Sequence, residues 1–522
     1  MTPWDQTFIS QSHYGPHQAR GVGRWRKHVA ISQSLSPLRP DQFGPDQAQH
    51  LLNRAGFGGT TAQVAELVEM GLREAVKHLV DYRQVDASSL PKPQADADII
   101  APLTPEQRQR QAAAIRAGNE AEIARFRALR QQRKADDRRQ LEHLQQWWLQ
   151  RMIESPRPLE EKLVLLWHSH FATNHRTVED SFLMFKQNLL LRRHANGRFS
   201  DLAFGIIRDP AMIRFLDNHA NKKQKPNENL ARELMELFTL GEGNYTENDI
   251  KQGARALTGY SFYDNEFQFM DHEHDEKPKR ILGISGTLNG EDFVRILLKQ
   301  KACAAFVCYK LYKHFVADIP DQMPRESRSV ILQMARSLRA TDYRIAPVLK
   351  KLFMSRHFYD TAIVGSKIKS PLQLIAGTIR MLGTPVRDMS LLIDAAGTMG
   401  QTLFNPPSVA GWSGGNTWIN TSTLFIRQNL ATYLITGKLP YLDGWTRRQL
   451  DYDPTFLTEG VSNRSPEALI DHLIKILIAG PIPAQRRTQL LAFVNERDGQ
   501  IKKDRMIGLL MLITAMPEYQ LC

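Results

Sequence analysis

The stretch Pro226-Asn-Glu-Asn-Leu-Ala-Arg-Glu-Leu-Met-Glu-Leu-Phe-Thr-Leu-Gly241 constrains the fold of this chain more than any other. At 3.6 residues per turn, Leu230, Leu234, Leu237 and Phe238 form one stripe, and Asn229, Arg232, Glu233 and Glu236 form the opposite one. A helix divided in this way buries its apolar side in a helical core. It also holds two carboxylates, an amide and a guanidinium on a fixed frame. A second helix comes at once. Thr246 through Asp249 is a capping-box start, Ile250, Ala254 and Leu257 repeat at helical spacing, and Gly259 stands at the expected stop.

The same periodicity runs through the rest of the chain. Residues 41–82 place Val64, Leu67, Leu72, Val76 and Leu79 on one helical side, and residues 293–315, 328–338, 345–353, 372–381, 489–494 and 505–515 read as helices too. Alternating patterns are scarce; the clearest, Phe267-Gln-Phe-Met-Asp-His-Glu-His274, reads as a short strand or hairpin arm. No fixed-period repeat is present, which argues against a regular solenoid. The expected fold is mainly α: a large multi-helical globular domain over residues 41–522, with at most one small β-hairpin, preceded by an irregular basic leader over residues 1–40. After a Pro/Asp/Ser-rich loop at 84–102 comes an inserted arm at 103–152, where eleven Lys/Arg stand against six Asp/Glu between Glu106 and Arg151. Strong helix propensity with few apolar residues before Leu141 makes this arm a projecting, charged helix or helical hairpin.

Composition excludes several classes. Hydrophobic residues at 42% with 24% charged residues suit a globular domain, and no apolar run approaches the roughly 18 residues of a membrane-spanning helix. Met1 to Ala30 lacks a continuous apolar segment and intersperses Arg20, Arg24, Arg26 and Lys27, so no secretory signal is visible and a cytoplasmic location is expected, export requiring a different translated start. Cys303, Cys308 and Cys522 form no disulfide framework; the first two read as buried structural thiols. The net charge of +13 comes without a recognised nucleic-acid motif, so a solvated basic surface is expected rather than a nucleic-acid partner.

The order of motifs resembles the bacterial family known only as domain of unknown function 1800. Besides the two helices above, the resemblance rests on Leu51-Leu-Asn-Arg-Ala-Gly-Phe-Gly58, Trp167-His-Ser-His-Phe-Ala172, His274-Asp-Glu-Lys277 with Leu282-Gly283, and Lys369-Ser-Pro371. Gly400-Gln-Thr-Leu-Phe-Asn-Pro-Pro407, Gly411-Trp-Ser-Gly-Gly415 and Trp418 complete it, so the likeness runs from Leu51 past Arg427. It implies no established activity. Some relatives have His where this chain has Phe238, so a ligand at that position is not carried over. Many relatives look exported, which is a second departure. Family members are frequently encoded beside a second family resembling sulfatases and phosphatases, which implies a protein encoded nearby as a partner.

Four groups carry candidate chemistry, each with a structural alternative. In a helix, His168 and His170 point about 160° apart, so they do not share an ion; His170 falls toward the core and is either a buried hydrogen-bonded histidine or a site residue. If the segment around residue 272 is extended, His272 and His274 share one face while Asp275 and Lys277 share the other, a set suited to zinc or to an exposed charged turn. Glu233 and Glu236 are close enough to share a proton or cation, or else Arg232 neutralises the stripe by bridging Glu228 and Glu236. Trp412 and Trp418 flank a Gly-rich turn without the Lys-Ser/Thr of a phosphate loop, forming either a sugar- or peptide-binding surface or a packed corner. No Gly-x-Ser-x-Gly elbow is present.

The leading expectation joins these groups in one polar pocket between helices. Glu233, Glu236 and Asp275 would be catalytic, and Asn229, Arg232, Arg255, Lys277, Trp412 and Trp418 would hold the substrate. His170 and His274 would bind a divalent metal. Such a site would perform acid–base or metal-assisted hydrolysis of a carbohydrate or peptide-like substrate. The alternative is a non-catalytic helical scaffold that binds partners through its arm and basic surface.

Overall fold

Capping chemistry starts the helices close to where the sequence places them. Thr60 accepts from the Gln63 amide at the head of Thr61–Val80, and Thr246 and Asp249 cap each other at the head of Glu247–Ala256. Ser370 does the same for Pro371–Leu382, with proline in the first turn. The computed structural model describes residues 32–320, 322–438, 452–459, 461, 465–495 and 502–522. Among these, twenty-one α-helices and two two-stranded antiparallel hairpins make a mainly α fold. No described helix is long and apolar enough to cross a membrane.

Residues 1–31 of the expected leader lie outside the described residues. The remainder of the leader is packed rather than irregular: Leu35 is buried, Arg356 N–H donates to the Ser36 carbonyl at 2.9 Å, and Leu38 N–H to the Met354 carbonyl at 2.8 Å. The helical run expected over 293–315 is divided at Gln300 (φ −70°, ψ 136°) into Gly290–Lys299 and Lys301–Phe315. Cys303, Cys308 and Cys522 are buried free thiols.

The arm is a helical hairpin, Pro105–Ala117 and Glu120–Glu154, turned at Gly118 in the left-handed region. Its first helix is almost wholly exposed. From Asp137 onward the second helix enters the core, burying Leu141, Leu144, Trp147, Trp148, Leu149, Met152 and Ile153 against Ser181–His194, Pro371–Leu382 and Met389–Thr398. Asp137 fixes the point of entry, accepting from the Ser181 amide at 2.7 Å and from His175 Nε2 at 2.6 Å.

Both hairpins use a two-residue turn with both residues at positive φ: Asp264-Asn265 between Tyr260–Tyr263 and Glu266–Phe269, and Leu282-Gly283 between Lys279–Ile281 and Ile284–Gly286. The second hairpin, three residues per strand, is too short for alternation to show in the sequence. The first ends sooner than expected. After Phe269 the chain leaves the sheet and Asp271–Glu273 forms a 3-10 turn. His272 and His274 therefore do not lie on one strand face.

Two helices position the site. Pro158–His170 is buried along most of its length, with Leu159, Leu163, Val164 and Trp167 fully inaccessible. At its head the buried Glu161 carboxylate accepts from Arg151 Nε at 2.8 Å and from Arg192 Nη1 and Nη2 at 2.6 and 2.9 Å. The second is the carboxylate helix, and it departs from the 3.6-residue pattern. Only Asn229–Glu233 is α; Leu234–Thr239 is a π-helix, with Leu240 N–H donating to the Met235 carbonyl at 2.8 Å. Two side chains bond to carbonyls of this widened segment. The Thr239 hydroxyl donates to the Leu234 carbonyl and His170 Nε2 to the Phe238 carbonyl. Leu230, Leu234 and Phe238 are buried as the apolar stripe requires, and Leu237 is half-buried.

Candidate functional site

The residues expected to converge are distributed over three places. The first is a cavity of about 620 Å³ whose walls come mainly from five parts of the chain, with Asp318, Gln401 and Cys522 completing the lining. Helix Pro45–Ala55 supplies Asn53 and Arg54; helix Pro158–His170 supplies Lys162, Leu165, Leu166, Ser169 and His170; helix Lys301–Phe315 supplies Lys310, Lys313 and His314. Residues 367–373 add Lys367, Lys369, Ser370 and Gln373, and the loop after Pro407 adds Trp412 and the glycines around it, with Trp418 close by. The spacing of Lys162, Leu165, Leu166 and Ser169 is one helical stripe, and Lys310 with Lys313 is another.

The charge of this lining is one-sided. Arg54, Lys162, Lys310, Lys313, Lys367 and Lys369 are six cationic side chains, and Asp318 is the single carboxylate side chain among the lining residues. Asp318 is paired with Lys367, Nζ to Oδ1 at 2.9 Å. Arg54 is almost wholly buried and directs its guanidinium to carbonyls, Nη1 to Val316 at 2.7 Å and Nη2 to Ile363 at 2.9 Å. The Lys162 amine donates to the neutral amide oxygen of Gln373 and lies 4.9 Å from the Phe57 ring centre. Lys369 Nζ sits 3.9 Å over the Tyr519 ring and Lys310 Nζ 5.1 Å over Phe306, and neither has a carboxylate partner among the described residues.

Burying cations without counter-charges lowers their proton affinity. Burial pulls the Lys162 amine down to about 7, against the opposing pull of Cys522 and with the help of Lys367 and Arg54. Burial likewise brings Lys310 and Lys369 to about 8 and lowers Lys367. An anion entering this space meets several amines whose charged form it would restore.

The loop at the cavity mouth is held against the end of the central helix. Gly411 (φ +80°) lies so close to Ser169 that a Cβ there would stand 2.1 Å from the Ser169 carbonyl oxygen. Trp412 N–H donates to Ser169 Oγ at 3.2 Å, and its ring faces His168 at 5.6 Å. Trp418 is buried, and Trp412 is half-buried.

His170 also borders this cavity, but its Nε2 donates to the Phe238 carbonyl at 2.9 Å and its ring is set among Trp167, Phe171, Phe199 and Phe306. Burial brings it to about 3, so it is a neutral imidazole that ties the central helix to the π-turn. His168 points elsewhere, into Trp148, Phe404 and Trp412, as opposite faces of one helix require.

The second place is the carboxylate helix. Arg232 pairs with Glu228 (3.0 Å) and, in both arms, with Glu247 of the next helix (2.8 and 2.9 Å); it does not bridge to Glu236. Glu236 instead accepts from the Tyr245 hydroxyl at 2.7 Å. Glu233 has no hydrogen-bond partner among the described residues, and burial, then the charge of Glu236, push it up to about 7. Asn229 is exposed, its backbone N–H donating to Asn227 Oδ1 at 3.0 Å.

The third place is the turn after the first hairpin. Arg255 Nε and Nη2 donate to Asp275 Oδ2 and Oδ1 at 2.7 and 3.2 Å, and Asp275 Oδ1 also accepts from the Lys277 backbone N–H at 2.9 Å. Thr258 Oγ1 accepts from the Asp275 N–H at 2.8 Å. His274 Nδ1 donates to the Thr258 carbonyl at 2.8 Å. The buried Lys279 amine donates to the carbonyls of Asp275 and Lys277, while the Lys277 side chain is exposed. These bonds pin the turn to helix Glu247–Ala256. Glu247 and Arg255, which anchor the second and third places, are eight residues apart on that helix, about 12 Å along its axis.

Of the expected set, His170, Trp412 and Trp418 line the large cavity; Asn229, Arg232, Glu233, Glu236, Arg255, His274, Asp275 and Lys277 line neither it nor the second cavity of about 480 Å³. His170 and His274 have separate neighbours, and among the described residues no group of three or more His, Cys, Asp or Glu is disposed around one point to hold a metal ion. The lysines of the large cavity were missed because they stand in three separate segments that only the fold brings together. Two signals bore on them: the paired Lys310 and Lys313, and the motif segments containing Arg54 and Lys369.

The chain matches the model of a family described as protein of unknown function (DUF1800) over residues 50–521. No curated protein and no solved structure matches it. With nearly its whole length covered, the chain belongs to the DUF1800 family.

Proposed function

We propose that this member of the DUF1800 family takes an anionic ligand, the acidic group of a carbohydrate or peptide-like chain, into the lysine-lined cavity. The observation that carries this reading is the imbalance of six cationic side chains against the Asp318 carboxylate and the opposing influence of Cys522 in a single space of about 620 Å³. A cavity with unpaired amines is costly unless something negative occupies it. Trp412 and Trp418 at the loop add flat apolar surface, which suits a sugar ring or peptide side chain. In hydrolysis of such a ligand, the amines that it recharges would stabilise developing negative charge. Glu233, Glu236 and Asp275 lie outside this chemistry.

A panel of ligands tests the reading. Oligogalacturonate or a polyglutamate peptide should bind and raise the melting temperature, and a neutral cello-oligosaccharide should not. Lys369→Gln should weaken the acidic ligand at least tenfold. Equal binding of acidic and neutral ligands, or an unaffected variant, would remove the proposal. The exposed first helix of the charged hairpin, with Ile115 61% exposed, favours a second reading as a partner-binding scaffold. In that reading, deleting residues 105–130 abolishes partner capture and leaves oligogalacturonate binding intact.

A further inference from the structure

The Lys162 amine differs from the other amines of the cavity in its immediate surroundings. Its acceptor is a neutral amide oxygen, Gln373 Oε1, and that amide is itself held in place, its Nε2 donating to the Asn53 carbonyl at 3.0 Å. On another side is the Phe57 ring, 4.9 Å away. Cys522 is the neighbour that favours its protonated form, Lys367 and Arg54 are those that oppose it, and the amine opens on a cavity far larger than a small gas molecule needs. Burial therefore disfavours an ammonium at this nitrogen, while the other cationic side chains of the lining, Arg54, Lys310, Lys313, Lys367 and Lys369, outnumber its negative groups.

We propose that Lys162 is a carbamylation site, taking up carbon dioxide to become an N-carboxylysine. The neutral amine nitrogen attacks the carbon of CO2, a C–N bond forms, and one C=O π bond opens onto oxygen. The nitrogen then gives one proton to solvent, so that amine and CO2 yield a carbamate anion and a proton. The product keeps one N–H, which can still donate to Gln373 Oε1. Its two oxygens bring a negative charge into a space whose lining keeps five other cationic side chains, Arg54, Lys310, Lys313, Lys367 and Lys369. The amine's fall to about 7 supplies the neutral form that the reaction needs near neutral pH. The modification reverses the sign of charge at Lys162 and so controls how strongly the cavity holds an acidic ligand. It depends on the amine's surroundings and not on which ligand binds, so failure of oligogalacturonate to bind would leave it standing.

Carbon-13 NMR of the intact protein in ¹³C-bicarbonate at pH 8 tests it. The parent should show a carbamate resonance of about one equivalent per chain that is absent from Lys162→Arg, apart from any signal of the α-amine common to both. Gln373→Glu keeps the lysine but gives it a carboxylate acceptor, which holds it as ammonium; that variant should lose the resonance too. Identical spectra for parent and Lys162→Arg would overturn the proposal, as would full carbamate in Gln373→Glu.

Discussion

Arg255 and Asp275 form a two-pronged ion pair across 20 positions of sequence, Nε to Oδ2 at 2.7 Å and Nη2 to Oδ1 at 3.2 Å, with the carboxylate almost wholly buried. The pair ties the hairpin turn to helix Glu247–Ala256, and the lone pairs of Asp275 left over are used by the Lys277 amide.

Removing one partner of a buried pair leaves the other without compensation. Asp275→Asn should cost about 3 kcal/mol in a denaturant titration, and Arg255→Met with Asp275→Leu together should cost less than the single change. Burial raises the Asp275 carboxyl, but the Arg255 bonds and charge outweigh it and hold the group below the usual aspartate range. A depressed carboxyl contributes stability that is present above the unfolded value, about 3.9, and is lost as pH falls through the folded one. The parent should therefore lose more stability than Asp275→Asn between pH 4 and acid unfolding.

Glu233 has the opposite sign. Its folded value of about 7 lies above the ordinary 4.5, so the folded state binds the extra proton between them and stability falls as pH rises through that window. Glu233→Gln should be more stable than the parent by about 1–2 kcal/mol at pH 8, with the difference vanishing near pH 4, as read from melting curves at both pH values. A variant less stable than the parent at pH 8 would show that the carboxylate has a favourable partner.

Gly411 tests the cavity wall. Alanine there combines positive φ with a Cβ against the Ser169 carbonyl, so Gly411→Ala should cost about 2 kcal/mol or more and loosen Trp412. Intrinsic fluorescence should report the indole's altered surroundings, whereas Gly118→Ala, at an open corner with nothing within 4 Å, should leave it unchanged.

Much of the architecture was legible because it obeys local rules. The capping box at Thr246, the core positions Val64, Leu67, Leu72, Val76 and Leu79, and the split polar and apolar sides of residues 229–238 all derive from spacing and side-chain type. The π-turn was not legible, because a 3.6-residue wheel assumes one regular ladder, and the bond from His170 to the Phe238 carbonyl joins segments 68 positions apart. The polar stripe of that helix invited a catalytic reading; in the structure Arg232 pairs with Glu228 and Glu247, and the stripe lines neither of the two cavities described above. The lysine cavity depends on tertiary placement alone. Lys162, Lys310 and Lys369 stand in different segments, and only folding shows that they face one space with one carboxylate side chain.

That space gives the account its most direct test. Between about 7 and the unfolded lysine value, near 10.4, the folded chain binds fewer protons at Lys162 than the unfolded chain, so stability rises with pH. An anion reverses this by recharging the amines. Calorimetric titration with citrate at pH 8.5, in CO2-free solution and in two buffers of different ionisation enthalpy, should show binding accompanied by uptake of about one proton or more. Both the heat and the uptake should disappear in a variant combining Lys162→Gln and Lys369→Gln. Citrate that binds without taking up protons, or that binds the variant as it binds the parent, would contradict the account.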